Sequence, residues 1–291
     1  LNATSGKMEV SCFYMGLSWL PILLALILTS TLYITYFLAT FNGQVVGEFF
    51  LIGSTGTRPP ESCVFAQGLN LAAFVGAVCV YIWHGIAMRR TEFMGNKQPR
   101  TYLRVLFAIG LLSSVGLSVV GNFQQDETEA VHTAGVMTAL IGCVLYAFML
   151  THVCRKYLAY RYAYWAPRLC IALASFTFLV VFIGCYISSR TKLTSTRRGS
   201  KFNRQPEDGG FSEFKCASIC EWTLVFSLIT FFLTMAPEFR RYALSLPKVC
   251  VQFSEPVIKA LNPVNISTIS KISILIKTTL QHVWGVVQSV L

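Results

Sequence analysis

Charge is what this sequence has least of. Asp, Glu, Lys and Arg together make up 13% of its 291 residues, against about 25% in soluble domains. Hydrophobic residues make up 54%. So sparse a polar complement excludes a large soluble core and requires an integral membrane protein. Acids are scarcer than bases, 13 against 24, which leaves a net charge of +11. In a soluble chain that surplus would suggest nucleic acid. Here no recognition motif accompanies it and the bases sit beside apolar runs, so no nucleic-acid partner is expected. GxSxG, HExxH, Walker A and paired CxxC are all missing, which leaves no motif for hydrolase, zinc or nucleotide chemistry. His84 and His152 lack metal-ligand spacing and read as interfacial residues. No metal, cofactor or enzymatic activity is therefore expected. Also lacking are the alternating ten-residue segments of a membrane β-barrel.

What the chain does have is long apolar runs. Six stretches suffice to cross a bilayer, which takes roughly 20 apolar residues each: 17–41, 64–88, 102–123, 131–154, 168–189 and 215–236. The expected fold is an all-α membrane bundle of six helices, whose backbone bonds close within each span. Residues 1–16 form an N-terminal segment, 17–242 the membrane domain and 243–291 a tail. The sequence starts at Leu1 rather than at an initiator methionine, as a shortened N-terminus would. The first run is too long for a signal-peptide core, and no small-residue cleavage site follows it closely.

Basic residues set the orientation. Arg89, Arg90, Lys97 and Arg100 lie between spans two and three, Arg155, Lys156, Arg161 and Arg168 between four and five, and Arg240, Arg241 and Lys248 after six. The opposite face has Arg58 before span two and no base at all in GNFQQDETEAVH, residues 121–132. The positive-inside bias thus predicts both termini in the cytosol. The connection between spans five and six dissents, with Lys192, Arg197, Arg198, Lys201 and Arg204 on the predicted outer side. An odd number of spans is the rival explanation. On the six-span topology the sequons at Asn2 and Asn265 face the cytosol and stay unglycosylated.

Depth then gathers polar residues at the outer, luminal edge. Asn70, Asn122, Gln124, His132 and Glu221 come from four spans and reach a similar level. An acid inside a span needs a partner, and His132 or Asn122 is the expected partner of Glu221. The cluster has two readings: hydrogen-bonded glue between helices, or a small pocket for a lipid headgroup or ion. An acid–base pair of Glu221 and His132 is conceivable, but no obvious nucleophile accompanies it; Ser62 and Ser218 are neighbours in sequence order alone. Small residues every fourth position, Gly68, Ala72 and Gly76 on span two and Gly135, Ala139 and Cys143 on span four, predict close helix packing. Cys79, Cys143 and Cys185 read as small apolar residues within spans. Cys63, Cys216 and Cys220 lie at the luminal side, where Cys63 could bridge to either of the others. Cys12, Cys154, Cys170 and Cys250 lie near the cytosolic surface as palmitoylation candidates.

Five of these stretches carry a family likeness. PPESCVFAQGLNLAAFVGA (59–77), SVVGNFQ (118–124), His132 with Ala134-Gly135, ICEW (219–222) and EFRRY (238–242) resemble, in order, the DRAM/Frag/Sfk family of membrane proteins. The likeness is greatest to its TMEM-type branch, which includes a macroautophagy modulator. The resemblance implies six spans, cytosolic termini, and residence in lysosomal or endosomal membranes or the plasma membrane. It implies a non-enzymatic modulator of autophagy and trafficking, a scaffold or lipid-sensing bundle. Its partners would be membrane lipids, anionic phosphoinositides among them, and membrane or autophagy-machinery proteins. The alternatives it implies are a lipid-remodelling enzyme or a phosphoinositide-signalling scaffold. The family's recurrent polar positions fall on Glu61, Asn70, Asn122, Gln124, His132, Glu221 and Trp222. A channel fits least, because the polar residues gather at one end.

The tail departs from that likeness. Ile266, Ile269, Ile272, Ile276, Leu280, Val283, Val287 and Val290 recur in steps of three and four. That stripe predicts an amphipathic helix on the cytosolic leaflet, with a partner-binding or self-associating helix and a disordered tail as the rivals.

Overall fold

A computed structural model of the chain describes residues 16–45, 50–95, 100–193 and 206–242. Residues up to Leu244 belong to one compact unit, and Ser245–Leu291 make up a second. The expected tail helix, Asn2, Asn265, Cys12 and Cys250 lie outside the described residues.

Among the described residues the elements are all helical: α1 Trp19–Phe41, a short 3-10 turn Ile52–Gly56, α2 Glu61–Phe93, α3 Arg100–Asn122, α4 Glu129–Lys156, α5 Tyr162–Thr191, α6 Phe211–Leu233 and α7 Ala236–Phe239. Six of them are long and apolar enough to cross a membrane, with α7 continuing the sixth. Each expected span is present, but most helices run past the expected ends. α2 has 33 residues, about 50 Å at ~1.5 Å per residue, against ~30 Å of hydrocarbon. The surplus is polar and aromatic sequence beyond the apolar run, such as Arg89–Arg90 and Glu92–Phe93. α5 starts a turn and a half before the expected Arg168 and holds Pro167 within it. Its early start brings Trp165 under the Arg155 guanidinium, 4.9 Å from the ring centroid.

Each long helix packs on the next, and α6 returns to α1. The Leu17 N–H donates to the Phe239 carbonyl at 3.1 Å. Among the described residues the bundle of six spans is thus entered and left on one face. Leu26, Phe74, Leu112, Val115, Phe176 and Val180 point outward, while Leu24, Ala72, Cys79, Leu106 and Leu150 are buried. Apolar residues cover both sides because lipid replaces water outside; the usual polar face of a surface helix is missing. Small residues decide which sides meet. A Cβ on Gly116 of α3 would lie 2.7 Å from the Ala139 backbone nitrogen of α4, and one on Gly135 would meet Val119 Cγ1 at 2.8 Å. The small-residue repeat of span four is therefore a packing surface. So is Gly68, whose missing side chain makes room for Thr31.

Candidate functional site

Polar side chains collect at the two ends of the bundle, and the ends differ in kind. At the end where α2, α4 and α6 begin, the segment 50–57 between α1 and α2 dips into the bundle mouth. Phe50, Leu51 and Ile52 are buried. Backbone taken out of water needs partners, and α6 supplies them. Glu221 Oε2 accepts from the Ile52 N–H at 2.8 Å, and Trp222 Nε1 donates to the Phe50 carbonyl at 3.0 Å. Gly53 brings the segment against α4: a Cβ there would stand 2.5 Å from both Gln125 Oε1 and His132 Nε2.

The expected partner of Glu221 was His132 or Asn122; its hydrogen bond goes instead to the backbone of Ile52. His132 Nδ1 lies 2.7 Å from the Phe123 carbonyl. A carbonyl only accepts, so Nδ1 carries a proton. Glu221, His132 and Gln125 line one void of about 20 Å³. A water needs about 10–15 Å³ by this measure, so the void has room for one water but for no lipid headgroup, ester or anchor.

The other expected cluster residues lie apart from that void. Asn70 and Asn122 form a reciprocal amide pair, 2.9 Å each way, with the Ser118 hydroxyl donating to Asn70 Oδ1 at 2.6 Å. They join α2 to α3 on the outer side of the bundle, where Asn122 is exposed. Gln124 is half-buried and its backbone carbonyl caps Thr128; the neighbouring Gln125, not Gln124, faces the void. Glu61 is fully buried and accepts from Asn42 Nδ2 and from Gln44 Nε2, the latter at 2.9 Å, tying the exit of α1 to the start of α2. Ser218 spends its hydroxyl on the Phe214 carbonyl of its own helix, and Ser62 is buried. Cys63 is exposed, and Cys216 packs against Cys185 of α5 rather than against it.

The opposite end holds a buried ion pair that sequence reading passed over. Arg168 Nη1 and Glu238 Oε1 are 2.6 Å apart, with side chains 0% and 7% exposed. Trp83 Nε1 donates to Glu238 Oε2 at 2.9 Å. Arg168 also donates to Thr234 Oγ1, to the Thr234 carbonyl and to the Cys154 sulfur. One pair thus joins α2, α4, α5 and the α6–α7 junction. Cys154 is fully buried beneath this arginine, which removes it as a palmitoylation candidate; Cys170 is exposed. His84 stacks on Phe107 at 4.8 Å, and His152 packs between Tyr102 and Tyr157. Among the described residues no group of three His, Cys, Asp or Glu can hold a metal ion.

Directly beside the ion pair a cavity of about 260 Å³ is lined by Arg90, Arg161 and Arg241, with Ala159, Tyr160, Tyr164 and Tyr242. Arg90 lies over the Tyr160 ring, 4.4 Å from its centroid. Burial, and after it the charge of Glu238, pushes the Tyr160 phenol well above its usual pKa, so it adds no negative charge. Glu238 also borders the cavity, but Arg168 neutralises it. The three lining arginines therefore stand in net excess. Ala159, in the tight α4–α5 connection, has φ of +47°, a left-handed conformation that costs an L-residue roughly 1–2 kcal/mol and here shapes the cavity wall.

Residues 16–242, the whole bundle just described, match the family model described as the Frag1/DRAM/Sfk1/Cwh43P N-terminal domain. The chain belongs to the Frag1/DRAM/Sfk1 family. Among its relatives, DNA damage-regulated autophagy modulator protein 1 of Mus musculus is 28% identical over 81% of this chain and 96% of its own length. DNA damage-regulated autophagy modulator protein 2 of Rattus norvegicus is 30% identical over 80% and 87%. Modulator of macroautophagy TMEM150B of Xenopus tropicalis is 33% identical over 60% and 75%. No solved structure matches the chain. Frag1/DRAM/Sfk1 membership places the protein among multi-pass membrane proteins, and its relatives are named as modulators rather than as enzymes.

Proposed function

We propose that this protein modulates autophagy without catalysing a reaction, as a membrane scaffold that binds anionic lipid at its arginine-lined end. The names of its relatives support the process. The contrast between its two ends supports the mechanism. The Glu221 end is filled by the protein's own backbone around room for one water. The other end offers about 260 Å³ ringed by Arg90, Arg161 and Arg241, near the ~300 Å³ where small-ligand pockets begin. Arginine forks suit phosphate oxygens, and such charge-assisted bonds are stronger than neutral ones. The positive-inside bias sets this face in the cytosol, with both termini, against the anionic leaflet. Lysosomal or endosomal membranes, or the plasma membrane, are the compartments proposed, and autophagy-machinery proteins the protein partners.

The ligand is tested on the full chain in nanodiscs. Each bilayer contains phosphatidylcholine with a few per cent of phosphatidylinositol 4-phosphate, and retained lipid is read by native mass spectrometry. A charge-assisted hydrogen bond contributes about 1.5–3 kcal/mol, so the triple variant Arg90→Gln, Arg161→Gln, Arg241→Gln should lower retention at least about tenfold. Equal retention by a folded triple variant would overturn the lipid reading.

A further inference from the structure

The α5–α6 pair carries three cysteines at one end, and two of their sulfurs touch. Cys185 lies about two turns before the end of α5, and Cys216 a turn and a half into α6. Their Sγ atoms are 3.3 Å apart and both residues are half-buried. Cys220, one turn further along α6, is buried. The connection between the helices is anchored close by: Lys192 pairs with Glu213 across its feet, and Arg190 with Glu129 of α4 at 2.6 Å. Cys63, by contrast, rides on α2, which packs on α1 and α3.

We infer that Cys185 and Cys216 form a disulfide that staples α5 to α6 on the luminal side. The inference rests on the orientation proposed above, which sets this end in an oxidising compartment. Depth permits it. α5 has 30 residues, about 45 Å of helix against ~30 Å of hydrocarbon, so its C-terminal end stands in the interfacial layer, and Cys185 lies about 9 Å along the helix from that end, near the level a soluble oxidant reaches. Closing from contact to a bond of about 2.05 Å takes side-chain rotation, with the helices already adjacent. The chemistry is thiol–disulfide exchange with a protein or glutathione disulfide. One cysteine thiolate attacks the donor, forms a mixed disulfide and expels one donor thiolate. The second cysteine thiolate then attacks the protein-side sulfur, closes the intramolecular bond and expels the other. The two S–H protons end on the two expelled donor thiolates, relayed by water, so the donor is reduced to two thiols. The bond encloses residues 186–215, the stretch whose five basic residues run against the charge bias in sequence. Its constraint acts mainly on the unfolded chain.

The test uses the full chain in native membranes, alkylated before any reductant, digested and read by mass spectrometry. The expected result is a crosslinked peptide pair joining Cys185 to Cys216, with Cys63 and Cys220 alkylated. Reduction should then release two further thiols for labelling. The same preparation, carrying an epitope within residues 194–205, reports orientation by protease protection in sealed vesicles. A protected epitope with Cys185 and Cys216 both alkylated at the first step overturns the disulfide while leaving the topology intact. A protected epitope with a bridge to Cys63 or Cys220 also overturns it and restores a different pairing. An epitope cleaved from the cytosolic side overturns the orientation, and the inference falls with it.

Discussion

Replacing Glu238 by alanine should unfold much of this protein's margin of stability. The change strips Arg168, which is fully buried, of the carboxylate it pairs with, and it leaves the Trp83 indole N–H without its acceptor. Removing one member of a buried ion pair typically costs about 3–5 kcal/mol, because the surviving charge stays desolvated. Thr234 and Cys154 still accept from the guanidinium, but neither carries a formal charge. Glu238→Gln keeps an acceptor for Trp83 and should fall between wild type and Glu238→Ala. Replacing both partners, with Arg168→Met and Glu238→Leu, should be milder than either single loss, since two apolar groups leave no orphaned charge. Thermal unfolding of the detergent-solubilised chain measures these variants, together with the Arg168→Met and Glu238→Leu singles. A Glu238→Ala protein as stable as wild type, or a double variant worse than the sum of the singles, would show that the pair does not hold the helices together.

The second large effect separates shape from hydrogen bonding at Glu221. Glu221→Leu should destabilise the protein by about 1–3 kcal/mol, the cost of leaving the buried Ile52 N–H unsatisfied. Glu221→Gln retains a carbonyl oxygen for that N–H and nearly the same volume, so it should unfold within a few degrees of wild type. If instead Glu221 acted through its acidity, on a substrate or an ion, the Gln variant would fold normally and lose activity. Hydrogen exchange at the Ile52 amide provides the local readout: fast in Glu221→Leu, protected in wild type and Glu221→Gln. Rapid exchange in wild type would contradict the plugged mouth.

How much of this was legible in the sequence follows from what each feature depends on. Span number depends on apolar length, which is local, so all six helices could be read. Their ends depend on what happens at the bilayer surface, where Arg90 or Tyr162 can continue a helix that hydropathy has already closed. The depth argument put Glu221 and His132 at one level, and both border one void. It chose Gln124 over Gln125 because the turn after α3 decides which of two adjacent amides faces inward, and depth has no say in that. The partner of Glu221 was hidden for a different reason. It is a backbone N–H from IGSTG, a stretch that reads as an ordinary loop until a tertiary fold buries it. Arg168 and Glu238 were both visible, one as a topology charge and one within EFRRY. Their pairing across the bundle is a long-range contact, which no local pattern encodes. The five-motif resemblance carried the family, and the matched residues 16–242 coincide with the described bundle.

The central claim is that the arginine-lined end acts and the Glu221 end holds. It is tested most directly by lysosomal turnover of a lipidated autophagosome marker in cells depleted of this protein and rescued with variants. Depletion should change turnover. Wild type and Glu221→Gln should restore it, while the triple variant Arg90→Gln, Arg161→Gln, Arg241→Gln, delivered to the same membrane, should not. Unchanged turnover on depletion, or full rescue by the triple variant alongside failure of Glu221→Gln, would contradict the account.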